Sequence, residues 1–218
     1  MASNSKKFPL TKVAIIGAGG FGREILACIN DIIGSDDNRF ERVLFVEPDV
    51  DFNQRNIHGF KVIPQSLFDP ADWSAIVSIS DPKKRENVVS SLPINTHYAT
   101  VVHPSAVISE WISLGEGSIV TAGSILTCDI SVGRHSQLNL HTTIGHDTHC
   151  DHFFTTAPGV NVSGICKIGK RVYLGTNASI KQGLSICDDI VIGMGSVVLS
   201  SIDIPGIYVG NPLRKLEK

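Results

Sequence analysis

At 218 residues and 23.5 kDa the chain is long for one small domain and sufficient for two modest ones. Charged residues make up 18% and hydrophobic residues 42%, with a mean hydropathy of +0.14, which excludes a disordered chain. The 19 Lys and Arg against 21 Asp and Glu give a net charge of −2 spread over both halves, so neither half is a polycation suited to nucleic acid or an anionic membrane.

The chain starts with the polar stretch MASNSKKFPLTK and nowhere carries an apolar run near the roughly 18 residues of a membrane span. Neither a signal peptide nor a membrane helix is expected. The five cysteines, Cys28, Cys128, Cys150, Cys166 and Cys187, are odd in number and form no CxxC, so reduced thiols in a cytoplasmic protein are the expectation.

Lys12 to Gly17 (KVAIIG) is a short β-branched apolar run, as in a strand buried on both faces of a parallel sheet. It runs into GAGGFGREILACINDII, where Ile25, Ile29, Ile32 and Ile33 recur at helical spacing. Arg42 to Glu47 (RVLFVE) and Ser74 to Ser80 (SAIVSIS) read as further strands, and Asp81-Pro82 caps and opens a helix over DPKKRENVVSSL. Residues 1–100 are therefore predicted to be a Rossmann-like half domain of α/β class, too short for the full dinucleotide fold of about 150 residues and sized for one nucleotide.

After residue 100 a six-residue period takes over. Every sixth residue from Val102 to Val198 is Leu, Ile or Val in 15 of 17 cases, where composition predicts roughly five. Four residues after each, a small residue often stands (Ala106, Ser118, Ser124, Ser136, Thr142, Thr148, Ala178, Ser196), and one residue after, glycine recurs at 115, 133, 145, 169, 175 and 193. An α-helix cannot bury such a period on one face, whereas a three-sided coil of short strands can. Residues 18 apart then stack about 4.8 Å from each other as parallel neighbours. Residues 101–218 are predicted to be a parallel β-helix of between five and six coils with a short C-terminal tail.

Three constellations carry candidate chemistry. Gly17-Ala18-Gly19-Gly20-Phe21-Gly22 turns a strand into a helix whose first amides can face phosphate or ribose, with Glu47 ending the next strand; a tight packing turn without ligand fits the same residues. Four of the eight histidines fall between His141 and His152. Their register fans them around successive sides, and the residues one coil from His146 are Cys128 and Gly164, so no metal set assembles within one chain. His146 has Asp147 beside it, an arrangement suited to a general base. Lys167, Lys170, Arg171 and Lys181 concentrate positive charge on the last coils, which suits the phosphates of coenzyme A and equally a solvated charged face.

The repeat, the glycine turn before it, Ile144-Gly145-His146-Asp147 and the exit motif Gly210-Asn211-Pro212-Leu213-Arg214 together resemble the hexapeptide-repeat sugar O- and N-acetyltransferases, whose members acetylate sialic acid or nucleotide-linked 4-amino-4,6-dideoxy sugars. The resemblance implies a left-handed β-helix, a homotrimer with acetyl-CoA as co-substrate and no metal, and a place in bacterial surface-polysaccharide or O-antigen synthesis. It implies His146 as base with Asp147 orienting it; Gly164, Thr155, Thr176 and Met194 toward acetyl-CoA; and Gly19, Gly20, Phe21, Glu47 and Ser80 toward the nucleotide sugar. Phe21 stands where such families often have His, Thr155 likewise, and Asp147 replaces the more usual Glu. The 4-amine of an amino sugar is the expected acceptor, a sialic acid or other sugar hydroxyl the alternative. From a different class, the alternative is a γ-class carbonic anhydrase-like metal enzyme or a non-catalytic binding scaffold; the N-terminal half discriminates, since a carbonic anhydrase has no use for a nucleotide cradle.

Overall fold

The computed structural model describes residues 8–34 and 36–217. The first seven residues of the polar start lie outside the described residues.

The N-terminal unit is a small parallel sheet. β1 (Val13–Ile16) is buried throughout and pairs in parallel with β2 (Val43–Glu47) on one side and β5 (Ser74–Val77) on the other. β4 (Phe60–Pro64) adds to β2 in parallel, and β3 (Asn56–Ile57) folds back on β4. The β3–β4 turn is His58-Gly59, with positive φ at both residues (50° and 88°), the geometry of a two-residue hairpin. Nothing in the period of residues 56–64 announces this pair, so it is an addition to the predicted strands.

α1 (Gly20–Ile33) buries Ile25, Leu26 and Ile29 against the sheet, as its spacing predicts. A single turn, α2 (Arg39–Arg42), leads into β2. α3 (Pro82–Ser91) begins at Asp81, whose carboxylate accepts from the Lys84 N–H at 2.9 Å, with Pro82 in the first turn.

From Val101 the chain winds as a three-sided parallel β-helix. The first side stacks Val101–Val102, Ile119–Val120, Gln137–Leu138, Thr155–Thr156, Tyr173–Leu174 and Ile190–Ile192. The second stacks strands from Val107–Ile108 through Thr143–Ile144 to Val197–Val198, and the third from Ser113–Leu114 through His149–Cys150 to Ser185–Ile186. The paired residues are 18 apart, for example Ile144↔Val162.

The periodic aliphatics form the core, all buried except Ile108 and Leu114 in the first coil, which lack a full coil above them. The small-residue slot also points inward. Ser124 and Thr142 hydroxyls donate to the Asn139 carbonyl at 3.2 and 2.6 Å, so inward polar groups are satisfied by corner backbone. The glycine slot exists for clearance: a Cβ on Gly145 would meet the Gly164 nitrogen at 2.5 Å, and one on Gly175 the Met194 nitrogen at 2.6 Å. The corners share one conformation, since every sixth residue from Gly117 to Gly195 has φ between 53° and 78°.

The two units share a core. Val101 and Ile119 project from the first side into the cluster formed by β1, α1 and β2. All five cysteines are free, and among the described residues no helix is long and apolar enough to cross a membrane.

Candidate active site

His146 follows Ile144 by two residues and so lies at the corner between the second and third sides. Asp147 occupies the left-handed corner position with φ 56°, a conformation that Asp tolerates better than most residues. From there its Oδ2 sits 2.7 Å from His146 Nδ1. That contact fixes the ring and leaves Nε2 as the face available to a substrate. Nε2 lies over Gly164, one coil along: an ideal Cβ there would stand 2.8 Å from it. Among the described residues the Gly164 N–H makes no hydrogen bond, so a free donor sits beside the imidazole. Ile165, the next residue, holds φ 60°, a costly conformation for a β-branched side chain, and its N–H donates to the His146 carbonyl at 2.7 Å. His146, Asp147 and Gly164 are thus brought together, on a half-exposed corner.

Thr155, Thr176, Phe21 and Ser80 are brought together elsewhere. They line a cleft of about 300 Å³ where the end of the parallel sheet meets the first side of the β-helix, together with Glu24, Gln137, Asn139 and Tyr173. Met194, one coil beyond Thr176, is exposed on the same corner, outside this cleft. The whole second side lies between this corner and His146. A single chain therefore does not unite the residues expected at one site.

The glycine turn divides by role. Gly17 (φ 106°) and Gly22 are packing glycines: a Cβ on Gly22 would meet the Gly17 carbonyl at 2.2 Å, and the buried Ser78 hydroxyl donates to the Gly17 carbonyl at 2.8 Å. Gly19 and Gly20 have nothing within 4 Å of where a Cβ would stand, so their space is open. Glu47 is less free than its position at the end of β2 suggests. Its Oε1 pairs with Arg55 at 2.6 Å, while Oε2 is buried without a partner.

The basic cluster divides: Lys170 and Arg171 enter one ion-pair network, while Lys167 and Lys181 are exposed and make no ion pair among the described residues. Lys170 and Arg171 both contact Glu86 of α3, and Arg171 also holds Asp189 through two 2.6 Å contacts. Burial opposes ionisation of Glu86, yet the hydrogen bond and charge of Lys170, with those of Arg171, outweigh it and hold this carboxyl below its ordinary range. These two cations fasten the N-terminal unit to the coil. They do not form the free phosphate patch that sequence proximity suggests.

Sequence reading also misses Arg85. It is fully buried, and it bonds both the Ile79-Ser80 turn and the Thr155 hydroxyl. A signal was available: Pro82, Arg85, Val88 and Val89 fall on one helical stripe, so the arginine occupies an inward position.

Known proteins agree with this architecture. Residues 12–92 match the PglD N-terminal domain, and residues 166–200 the hexapeptide repeat of succinyl-transferase. Along 94% of the chain and 96% of the relative, the protein is 29% identical to a GDP-perosamine N-acetyltransferase of Escherichia coli O157:H7. From end to end the chain is homologous to a nucleotide amino-sugar N-acetyltransferase, with an N-terminal half like that of PglD and a hexapeptide repeat behind it. WeeI from Acinetobacter baumannii AYE superposes on this acetyltransferase with a TM-score of 0.86 at 28% identity, over 94% of this chain and all of WeeI. The acetyltransferase domain of PglB from Neisseria gonorrhoeae FA1090, solved in complex with acetyl coenzyme A, gives 0.83 at 25% identity over 94% and 98% of the two chains.

Proposed function

We propose that this enzyme transfers the acetyl group of acetyl-CoA to the 4-amine of a nucleotide-linked 4-amino-4,6-dideoxy sugar, with His146 as general base. The observation that carries the chemistry is the ring held at Nδ1 by Asp147 with Nε2 over Gly164. The end-to-end similarity to an enzyme acting on a nucleotide amino sugar, and the acetyl coenzyme A complex of PglB, support the choice of substrates.

In this mechanism the neutral amine attacks the thioester carbonyl, a C–N bond forms, and the Gly164 N–H stabilises the developing oxyanion. His146 Nε2 takes the proton the amine loses, Asp147 stabilises the imidazolium, and as the C–S bond breaks the imidazolium passes that proton to the departing sulfur, releasing the coenzyme thiol and restoring the neutral base. Gly19, Gly20 and Phe21 at the start of α1, with Ser80 after β5, hold the nucleotide end of the acceptor. Glu47, at the end of β2, belongs to the same acceptor end. Thr155, Thr176 and Met194 face acetyl-CoA.

The two corners are separated within one chain, so the base of one chain serves the cleft of a neighbour, in a homotrimer acting in the cytoplasm on precursors of surface polysaccharide. Domain roles follow: residues 1–100 bind the nucleotide sugar and residues 101–218 carry the transfer. The test is to incubate the protein with acetyl-CoA and UDP-, dTDP- and GDP-linked 4-amino sugars, following free thiol and acetylated amine together. Turnover with one of these series and insensitivity to chelators are expected; turnover only with sugar hydroxyls would overturn the amine assignment. Sedimentation showing an active monomer at micromolar concentration would overturn the shared site.

A further inference from the structure

Arg85 has no exposed surface, and its guanidinium is saturated by oxygen atoms from both structural units. Nε donates to the His135 carbonyl at 2.8 Å. Nη1 donates to the carbonyls of Ile79 (2.6 Å) and Ser80 (3.2 Å) and to Gln137 Oε1 (3.0 Å). Nη2 donates to the carbonyls of Phe153 (2.8 Å) and Phe154 (3.5 Å) and to Thr155 Oγ1 (2.7 Å). Every acceptor is neutral. Burial accordingly pushes the guanidinium pKa down, to about 9, against a smaller opposing effect of Asp81.

Placing a cation away from water with no carboxylate to answer it is a costly way to join two domains. The interface already has a cheaper means in Val101 and Ile119, which pack into the sheet core. The identity of the acceptors says what the arginine adds. Ser80, Gln137 and Thr155 all line the cleft. Ser80 lies in the turn after β5, in the N-terminal unit that carries the acceptor cradle, whereas Gln137 and Thr155 are successive rungs on the first side of the β-helix. Gln137 extends the link, its Nε2 donating to the Val77 carbonyl at 2.8 Å. Among the described residues Thr155 Oγ1 has no other partner, so its hydroxyl hydrogen is left to donate to a ligand.

We propose that Arg85 is a positioning residue for the transfer reaction: one rigid fork, inserted behind the cleft, holds the acceptor cradle and the donor face of the β-helix at a fixed separation. The proposal rests on the function assigned above. A planar guanidinium is the group for this task, because its donors diverge at fixed angles toward several acceptors at once. The corner carbonyls of His135 and Phe153 belong to left-handed residues (φ 56° and 60°), and their side chains stack at 5.2 Å between ring centroids. The receiving surface is therefore itself fixed.

The test is Arg85→Lys, which retains charge and length but offers a single ammonium that cannot reach the Ile79-Ser80 turn, His135 and Thr155 together. Rates are measured at a temperature where circular dichroism shows the variant folded, with both substrates saturating. The kcat should fall about 10²-fold, the scale on which an ångström of misplacement acts, with KM for acetyl-CoA within about threefold of wild type. A purely structural pin would lower Tm and leave kcat at saturation untouched. Should Arg85→Lys not fold, Gln137→Met keeps the side-chain size, deletes both of Gln137's bonds across the interface, and should lower kcat about tenfold. A kcat within twofold of wild type in whichever variant folds overturns the proposal. A wild-type enzyme inert toward all nucleotide amino sugars would overturn the functional reading and this proposal with it; an active wild type with an unimpaired variant would overturn this proposal alone.

Discussion

The corner that carries His146 and the cleft that carries Phe21, Ser80 and Thr155 are built in opposite ways. At the corner everything is local or one coil distant: Asp147 is the next residue, Gly164 lies 18 residues on, and the repeat alone brings them together. The cleft is assembled from residues far apart in the chain, and a buried arginine from α3 holds its wall in place through contacts 50 to 70 residues away. The His146 corner is half-exposed and simple, the cleft open in front and cross-braced from behind. Changes at the corner should therefore act on catalysis with little effect on folding, while changes behind the cleft should act on both.

The largest expected break is His146→Ala, which should lower kcat by roughly 10²–10⁴, with acetyl-CoA binding nearly intact by calorimetry. A near wild-type kcat at neutral pH would remove His146 as the base. Gly164→Ala comes next. Its methyl would need the space of His146 Nε2, at 2.8 Å, so kcat should fall about 10²-fold while Tm changes little. An unaffected kcat would show that ring placement over Gly164 does not matter.

On the cleft side, Gly20→Val adds a side chain into space that holds no protein atom within 4 Å, so folding should be spared. Acceptor KM should rise about tenfold or more with acetyl-CoA KM unchanged, as expected for a misfit confined to one pocket. If acceptor KM does not move, the turn serves packing only. Asp147→Asn keeps a residue that tolerates the left-handed corner and removes only the charge, so a kcat loss near tenfold, well short of that of His146→Ala, separates support of the ring from the ring itself; a loss as large as that of His146→Ala would show that the two residues act as one unit.

The smallest effect concerns stability. His135, against Tyr98 and Phe153, is buried, and among the described residues neither ring nitrogen has a hydrogen-bond partner. Burial first, and then the charges of Arg134, Arg85 and His152, pull its pKa down to about 4. The unfolded chain binds this proton near pH 6.5, so His135 contributes stability that is complete above that pH and is lost as pH falls toward 4. Thermal melts of His135→Phe should lose less Tm over that window than wild type. Parallel curves would show that the histidine is not neutral in the fold.

Much of the molecule was legible in sequence because its signals are periodic. The six-residue repeat fixes which side chains enter the coil, and since the coil length is constant it also fixes which residues stack, down to His146 over Gly164. Strand and helix starts in the first hundred residues were legible for a similar reason, as were Asp81-Pro82 and the β1–α1 turn. The hairpin at His58-Gly59 was not, because its strands are short and one face is exposed.

What the sequence could not decide is which charges and which surfaces meet between the two units. Lys170 and Arg171 look like a phosphate patch along the chain, yet tertiary packing delivers Glu86 to them. The inward stripe of α3 marks Arg85 as facing the core but not what it meets there, and only the docking of α3 against the first side surrounds it with the carbonyls of His135 and Phe153. The sequence alone determined the coil, its register and the placing of His146 beside Asp147 and over Gly164, because repetition converts chain distance into spatial distance. Tertiary structure alone decided the cleft, its bracing arginine and the separation of the two corners by one side of the β-helix, because those depend on where a non-repeating domain comes to rest.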